Sequence, residues 1–319
     1  MKNILLLFAA LFLLAHSASS LADCSIKASS PNFGSVDSFT LNTVAQGVNA
    51  GAGFTCTKPL ISVAATNTVT ANIISASNAN GNSLRLLGDS GVYIPYNICK
   101  DSSCGILYGV NSSIPWSSTS LLDLLGLFNS TDGTLPLYFR IPPGSNVPAG
   151  TYTDQVSIRW DYHLCYAGVA NICIWVDSNP NSPLISTVNV TLKVTNSCYI
   201  DSAPDVAFTP AAIPANFNDL NGKFSIRCTQ NAAYTVNLAS DNASNGNWRQ
   251  LISTINSQNY FLQYQFFQSN GSAWTQANNL SLSGTGASQD VNYTLKINTA
   301  QSNQPAGSYS DNVKVTVTY

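Results

Sequence analysis

The stretch PAGSYSDNVKVTVTY (Pro305–Tyr319) decides the fold class. Val313, Val315, Val317 and Tyr319 fall on one side of an extended chain, and Lys314, Thr316 and Thr318 fall on the other. That period of two marks a β-strand with one buried and one wet face. The same run occurs earlier: PAGTYTDQVSIRW (Pro148–Trp160) returns as PAGSYSDNVKVTV (Pro305–Val317). Upstream of each copy stands a strand ending in a basic residue and Ile, LYFRI at Leu137–Ile141 and YTLKI at Tyr293–Ile297. Further back, DCSIKA at Asp23 matches SCYIDS at Ser197, and GAGFTC at Gly51 matches NGKFSIRC at Asn221. Arg85 and Arg249, then Trp116 and Trp274, follow in the same order. A long internal repeat of this kind means two related domains. They are expected to meet near Asn196, with an elaborated first domain at 23–196 and a second at 197–319.

Composition narrows the class. Long helical periodicity is nearly absent, and alternating runs such as STVNVTLKVT and KFSIRC dominate, so the chain reads as all-β. Only 9% of residues are charged and the net charge is -2, with no Lys/Arg patch, which leaves no basis for a nucleic-acid partner. The opening MKNILLLFAALFLLAHSASSLA reads as an export signal over residues 1–22. Lys2 supplies its charge, Ile4 to Ala15 an apolar run too short to span a bilayer, and small residues precede a cut after Ala22. Cys24 closely follows Leu21, as in a lipoprotein, but Asp23 before that Cys argues against such processing.

Eight Cys in an exported chain favour disulfides over metal sites or reactive thiols. The repeat sorts four of them: Cys24 pairs with Cys56 and Cys198 with Cys228. Each pair closes a loop of roughly 30 residues, worth about 3 to 4 kcal/mol on the chain-entropy estimate. The other four belong to the first copy alone, as CKDSSC (Cys99, Cys104) and CYAGVANIC (Cys165, Cys173). Local pairing is the simplest reading, and cross-pairing between the two loops is the alternative.

The copies end differently. After VSIRWDY the first continues to STVNVTLKVT, where Val188, Val190, Leu192 and Val194 alternate as a further strand, and the second has no counterpart. The expected architecture is therefore two immunoglobulin-sized β-sandwich domains, the first self-completed and the second lacking its last strand. The groove so left is expected to involve Ile200, Phe224, Ile226, Val313, Val315, Val317 and Tyr319. At about 1.5–3 kcal/mol per uncovered large side chain, the loss is on the order of 10 kcal/mol, comparable with a whole domain's net stability. Such a domain should be avid for a strand from another polypeptide, the recognition mode known as β-strand addition.

The spaced C-x-I, F-S-I-R-C, the Arg249 region, LQYQFF (Leu262–Phe267), Trp274 and PAGSYSDNVKVTVTY together resemble the spore coat protein U domain, shared by subunits of archaic chaperone–usher pili. The resemblance is strong over Ser197–Tyr319 and looser over Asp23–Asn196, where the anchors survive but the loops are longer. The two-domain layout is similar to that of a tip adhesin of such pili. The resemblance implies a pilin domain that borrows a strand from a periplasmic chaperone. At the outer-membrane usher it exchanges that strand for one donated by the adjacent pilin subunit. With cleavage after Ala22, Cys24 would stand almost at the mature N-terminus, leaving no extension to donate. The expectation is a subunit exported through the periplasm, extracellular at a pilus tip, that promotes attachment and biofilm formation.

The first domain differs from the second mainly by insertions, and additions to a shared scaffold are where function tends to sit. Their content is apolar. The candidate surface-binding residues are Val92, Tyr93, Ile94 and Pro95 in GVYIPYNIC, Ile114, Pro115 and Trp116 in LYGVNSSIPW, and Leu121, Leu122, Leu124 and Leu125 in LLDLLGLF. Tyr166, Val169, Ile172, Ile174 and Trp175 in CYAGVANICIWV complete the set. Exposed, they would suit an abiotic or host surface. Buried, they would cover the ends of the core, with LLDLLGLF as a short helix. A glycan pocket lined by Trp116 or Trp175 is a third reading.

Enzymatic chemistry has little to work with, and a non-catalytic protein without cofactor or metal is expected. His163 is the one imidazole outside the leader, HLC lacks the further ligands of a metal site, and Asp161 with His163 lacks a nucleophile motif. SGTGAS (Ser283–Ser288) reads as a turn rather than a phosphate loop. N-x-S/T triplets such as those at Asn111 and Asn279 are expected by chance in so Asn-, Ser- and Thr-rich a chain. Two rival readings are an outer-membrane barrel, which also closes on a terminal aromatic, and a coat protein built from the same domain without a pilus.

Overall fold

The structure, a computed structural model, describes residues 24–56, 61–120, 133–169, 172–179 and 181–319; side chains are not described at 61–65, 118–120, 166–169 and 174–175. The segment read as an export leader and the LLDLLGLF run lie outside the described residues. Two compact units emerge. One takes in the described residues up to Gly34, Ala45–Pro142 and Tyr152–Leu192; the other takes in Ser35–Val44, Pro143–Thr151 and Lys193–Tyr319.

In chain order the first elements are β1 (Cys24–Ile26), β2 (Asn32–Asp37), the short helix α1 (Ser38–Thr43), β3 (Gln46–Gly51), β4 (Phe54–Cys56), β5 (Ile61–Ala76) and β6 (Leu84–Gly88). Then follow β7 (Tyr93–Cys99), β8 (Ser113–Ser120), β9 (Pro136–Ile141), β10 (Gly150–Val169), β11 (Ile172–Ser178) and β12 (Leu184–Thr195). Strands β2-β12-β10-β6-β7-β9-β3 run side by side in one sheet, with β5 and β11 also paired to β10 and β8 to β5. Strand β10 explains the core. Its even positions Tyr152, Val156, Ile158 and Trp160 are buried, and its odd neighbours Thr151, Thr153, Gln155, Ser157 and Arg159 are partly or fully exposed. The Trp160 ring stacks on Phe54 at 4.9 Å and Trp116 at 6.1 Å, and its indole N–H donates to Ser186 Oγ at 2.8 Å. Strand β12, the segment found only in the first copy, lies against β10 with Val188, Val190, Leu192 and Val194 buried.

The second unit holds β13 (Cys198–Ser202), a single 3-10 turn (Pro214–Asn216), β14 (Leu220–Cys228), β15 (Ala233–Ser240), β16 (Arg249–Ile255), β17 (Gln258–Gln268), β18 (Leu280–Ser283), β19 (Ser288–Ile297) and β20 (Val313–Thr318). These form two open sheets, β13-β14-β19-β17-β16 and β18-β15-β20, and not the closed ring of a barrel. The β16–β17 register brings Ile255 opposite Gln258, so Asn256 and Ser257 alone make the turn. Both have positive φ, 52° and 67°, as a tight hairpin matched to strand twist requires. Between the sheets lie Phe224, Ile226, Val236, Leu238, Phe266, Tyr293 and Leu295, with Trp274 fully buried among them. Arg249 is also buried, and neutral groups hold its guanidinium: Gln265 Oε1 at 3.1 Å, Ser240 Oγ at 2.8 Å and the carbonyls of Leu238 and Trp274 at 2.7 and 3.2 Å. Burial pulls its pKa down from the usual arginine value.

All eight cysteines are bonded, as Cys24–Cys56, Cys99–Cys104, Cys165–Cys173 and Cys198–Cys228. The first and last each staple a directly facing strand pair, β1 to β4 and β13 to β14. Cys165–Cys173 ties the two arms of the β10–β11 hairpin together.

Candidate functional site

Strand β20 pairs with β15, from Thr235↔Thr318 to Ser240↔Val313. The sheet order ends at β20, so its far side is a free edge among the described residues. Beside that edge opens an apolar groove of about 670 Å³. Val313 and Val315 of β20 and Leu238 of β15 line one wall. Phe224 of β14, Leu251 of β16, Leu262, Tyr264 and Phe266 of β17, and Tyr293 and Leu295 of β19 line the other. A third side is the segment 203–211, in which Val206 and Phe208 alternate with Asp205 and Ala207. Residues 203–211 form no strand and make no backbone hydrogen bond. The groove thus lies between two stretches of backbone whose hydrogen-bonding groups are uncommitted, which is costly once such groups are covered without partners.

Asp205, Ser308, Ser310 and Asn312 also border the groove, and one polar pair stands among its apolar walls. Tyr264 donates its hydroxyl to Asp311 Oδ2 at 2.5 Å. Burial and that hydrogen bond push the phenol's pKa well above its ordinary value.

Of the seven residues assigned to the groove from sequence, Phe224, Val313 and Val315 line it. Ile226 is wholly buried in the core, and Val317 packs against the same core beyond the open part. Ile200 and Tyr319 are exposed outside it. The β16, β17 and β19 residues of the opposite wall, and the 203–211 segment, were missed. Alternation in LQYQFF could have pointed to Leu262, Tyr264 and Phe266; nothing local marks Val206 and Phe208 as neighbours of β20.

The apolar additions of the first unit divide. Ile94, Ile114 and Trp116 are buried, which corrects their assignment as surface-binding residues. They occupy the inward positions of β7 and β8, where Tyr93, Pro95 and Pro115 take the exposed ones and Val92 is half-buried. Trp116 is therefore no glycan platform: one side stacks with Trp160, and Lys100 Nζ lies 5.6 Å from its ring centroid. Tyr93 carries the Arg85 guanidinium over its ring at 4.0 Å. Ile172 is 71% exposed at the β10–β11 hairpin, beside the Cys165–Cys173 bond. The side chains of Tyr166, Val169, Ile174 and Trp175, and Leu121, Leu122, Leu124 and Leu125 entirely, lie outside the described residues. Sequence reading passed over Ile106 and Leu107 as contact residues, although they are 65% and 55% exposed just after Cys104.

The model of the Spore Coat Protein U domain matches residues 10–159 and 184–316. The chain belongs to the Spore Coat Protein U domain family. A solved structure similar to this family member is the CsuC–CsuE chaperone–tip adhesion subunit pre-assembly complex from archaic chaperone–usher Csu pili of Acinetobacter baumannii. The identity is 26%, the TM-score 0.58, and the match covers 93% of this chain and 100% of that one. More distant are CfaE, the adhesive subunit of the CFA/I fimbria of enterotoxigenic Escherichia coli (13% identity, TM-score 0.35, 92% and 93% covered), and the CupB6 tip adhesin from Pseudomonas aeruginosa (11%, 0.36, 93% and 93%). No curated protein matches this spore coat U chain in sequence.

Proposed function

We propose that the protein is the tip adhesin of an archaic chaperone–usher pilus, a non-enzymatic subunit held in the fibre by a β-strand that another chain supplies. The groove beside the free edge of β20 carries this reading. An incoming strand would pair with β20 on one side and the unbonded segment 203–211 on the other, while alternate apolar side chains fill the space above Leu262, Phe266 and Leu295. Covering roughly four apolar positions would contribute on the order of 10 kcal/mol. A periplasmic chaperone would lend such a strand first, and an adjacent subunit at the outer-membrane usher would replace it, placing the adhesin outside the cell. The likeness to a chaperone–tip adhesion subunit complex over 93% of the chain supports a chaperone as the first of these partners. Attachment and biofilm formation follow from the exposed apolar tips at Ile106 and Leu107, just after the Cys99–Cys104 bond, and at Ile172, inside the loop that Cys165–Cys173 closes and restrains.

Fusing a flexible linker and an alternating apolar strand after Tyr319 tests the proposal. The fused strand should raise the melting temperature of the second unit and protect the β20 amides from hydrogen exchange. A chain that is already monomeric and equally stable without it would sink the reading.

A further inference from the structure

The Asp161–His163 motif has a place of its own in the first unit. On β10, Arg159, Asp161 and His163 take outward positions while Trp160 between them is in the core. Across β5 they face Asn72, Thr70 and Thr68 respectively. On the other side β11 accompanies β10 only as far as His163↔Ser178. Beyond that, the buried Asn179 side chain takes the place of a strand neighbour: its Nδ2 donates to the Trp160 carbonyl at 2.7 Å, and its Oδ1 accepts from the Tyr162 N–H at 2.9 Å. The departure of β11 leaves a concavity of about 650 Å³, walled by Thr68, Thr70, Arg159, Asp161, His163 and Ser178. That volume is in the range of small-molecule sites.

Its chemistry selects a ligand class. Asp161 Oδ2 accepts from Arg159 Nη2 at 3.0 Å and from Asn72 Nδ2 at 2.8 Å, and Asn72 Oδ1 accepts from Ser113 Oγ at 2.6 Å. The carboxylate is thereby oriented and the pair's net charge cancelled, so neither an anion nor a cation meets an unmatched partner. The second carboxylate oxygen and the hydroxyls of Thr68, Thr70 and Ser178 make no hydrogen bond to the protein. An apolar ligand would strip water from these groups without replacing it. A neutral polyol offers a donor and an acceptor at every hydroxyl and satisfies both kinds of group. In a chain with only 9% charged residues, an Arg, an Asp and a His on alternate positions of one strand stand apart from the surrounding surface.

We propose that this concavity is a binding site for a neutral saccharide, with Asp161 and the Arg159 guanidinium taking adjacent hydroxyls. It is separate from the apolar tips, and it holds whether or not the groove of the second unit accepts a strand.

Saturation-transfer NMR on the full chain with galactose, mannose, N-acetylglucosamine and lactose as probes, each in the millimolar range, tests it. At least one should bind, and Asp161→Ala should weaken it about tenfold or more, the loss of one charge-assisted hydrogen bond. Thr70→Val, which exchanges a hydroxyl for a methyl at nearly constant volume, should weaken it about threefold or more, and it keeps the test valid if Asp161→Ala fails to fold. Absence of binding for all four sugars, or binding unchanged in a folded variant, would overturn the proposal.

Discussion

Asp154 sits in the buried row of β10, where the pattern calls for an apolar side chain, and its surroundings show how it is tolerated. Its carboxylate accepts from the Tyr96 hydroxyl at 2.8 Å and the Asn78 N–H at 3.0 Å. Burial nevertheless wins and raises its pKa above the ordinary aspartate value. The folded form therefore holds the proton more tightly than the unfolded chain. Asp154 makes its least favourable contribution above its raised folded pKa, and stability rises as pH falls from there toward the unfolded value. Replacement by Asn removes this titration. Melts of both proteins between about pH 7 and about pH 4 should show the wild type gaining on Asp154→Asn as pH falls. A difference that is flat across that window would mean the carboxyl is not perturbed. The sequence shows Asp154 in an alternating strand, but its partner Tyr96 lies 58 residues away, so the reason it can be buried was not legible there.

At the scale of elements, alternation decides more than composition. GVYIPYNIC and LYGVNSSIPW look like apolar loops when judged by content, yet Ile94, Ile114 and Trp116 are the inward half of ordinary strands. Period two identifies the two faces of a strand, and only its pairing shows which face is covered. The β14–β19 ladder gives a second case. Gly222 faces Tyr293, and a Cβ there would stand 2.5 Å from atoms of the tyrosine ring. The glycine is present so that the ring can lie across the sheet and reach the core. Gly222→Ala should therefore cost about 1–3 kcal/mol, the range for overpacking. Denaturant unfolding of the strand-complemented protein would measure it. An unchanged midpoint would show that Tyr293 moves aside freely.

For the whole molecule, low charge and exposed apolar tips combine in a way that suits adhesion to hydrophobic material. The triple change Ile106→Ser, Leu107→Ser and Ile172→Ser alters positions that are each more than half exposed, so stability should stay within about 0.5 kcal/mol of the parent. Binding to polystyrene should fall at least tenfold, since about 1.5 kcal/mol of transfer free energy for a single large side chain already corresponds to that factor. Pilus assembly, followed by surface labelling, should be untouched. Retained binding would shift the adhesive role away from these tips.

The sequence by itself determined the all-β class, the kinship of the two halves and the pairing Cys24–Cys56 and Cys198–Cys228, because alternation and repetition are local and self-referential signals. It also carried the family, since the anchor residues of the resemblance recur in the same order in both copies. The tertiary structure alone decided which apolar residues form the groove. Its far wall comes from β16, β17 and β19 and its third side from residues 203–211, brought to β20 by folding from up to about a hundred residues away. The same holds for the saccharide concavity, which exists because β11 leaves β10 after Ser178 and the Asn179 amide takes over its hydrogen bonds. Covering one face of a strand or opening a notch beside it is a property of non-local neighbours, and a linear pattern does not contain them.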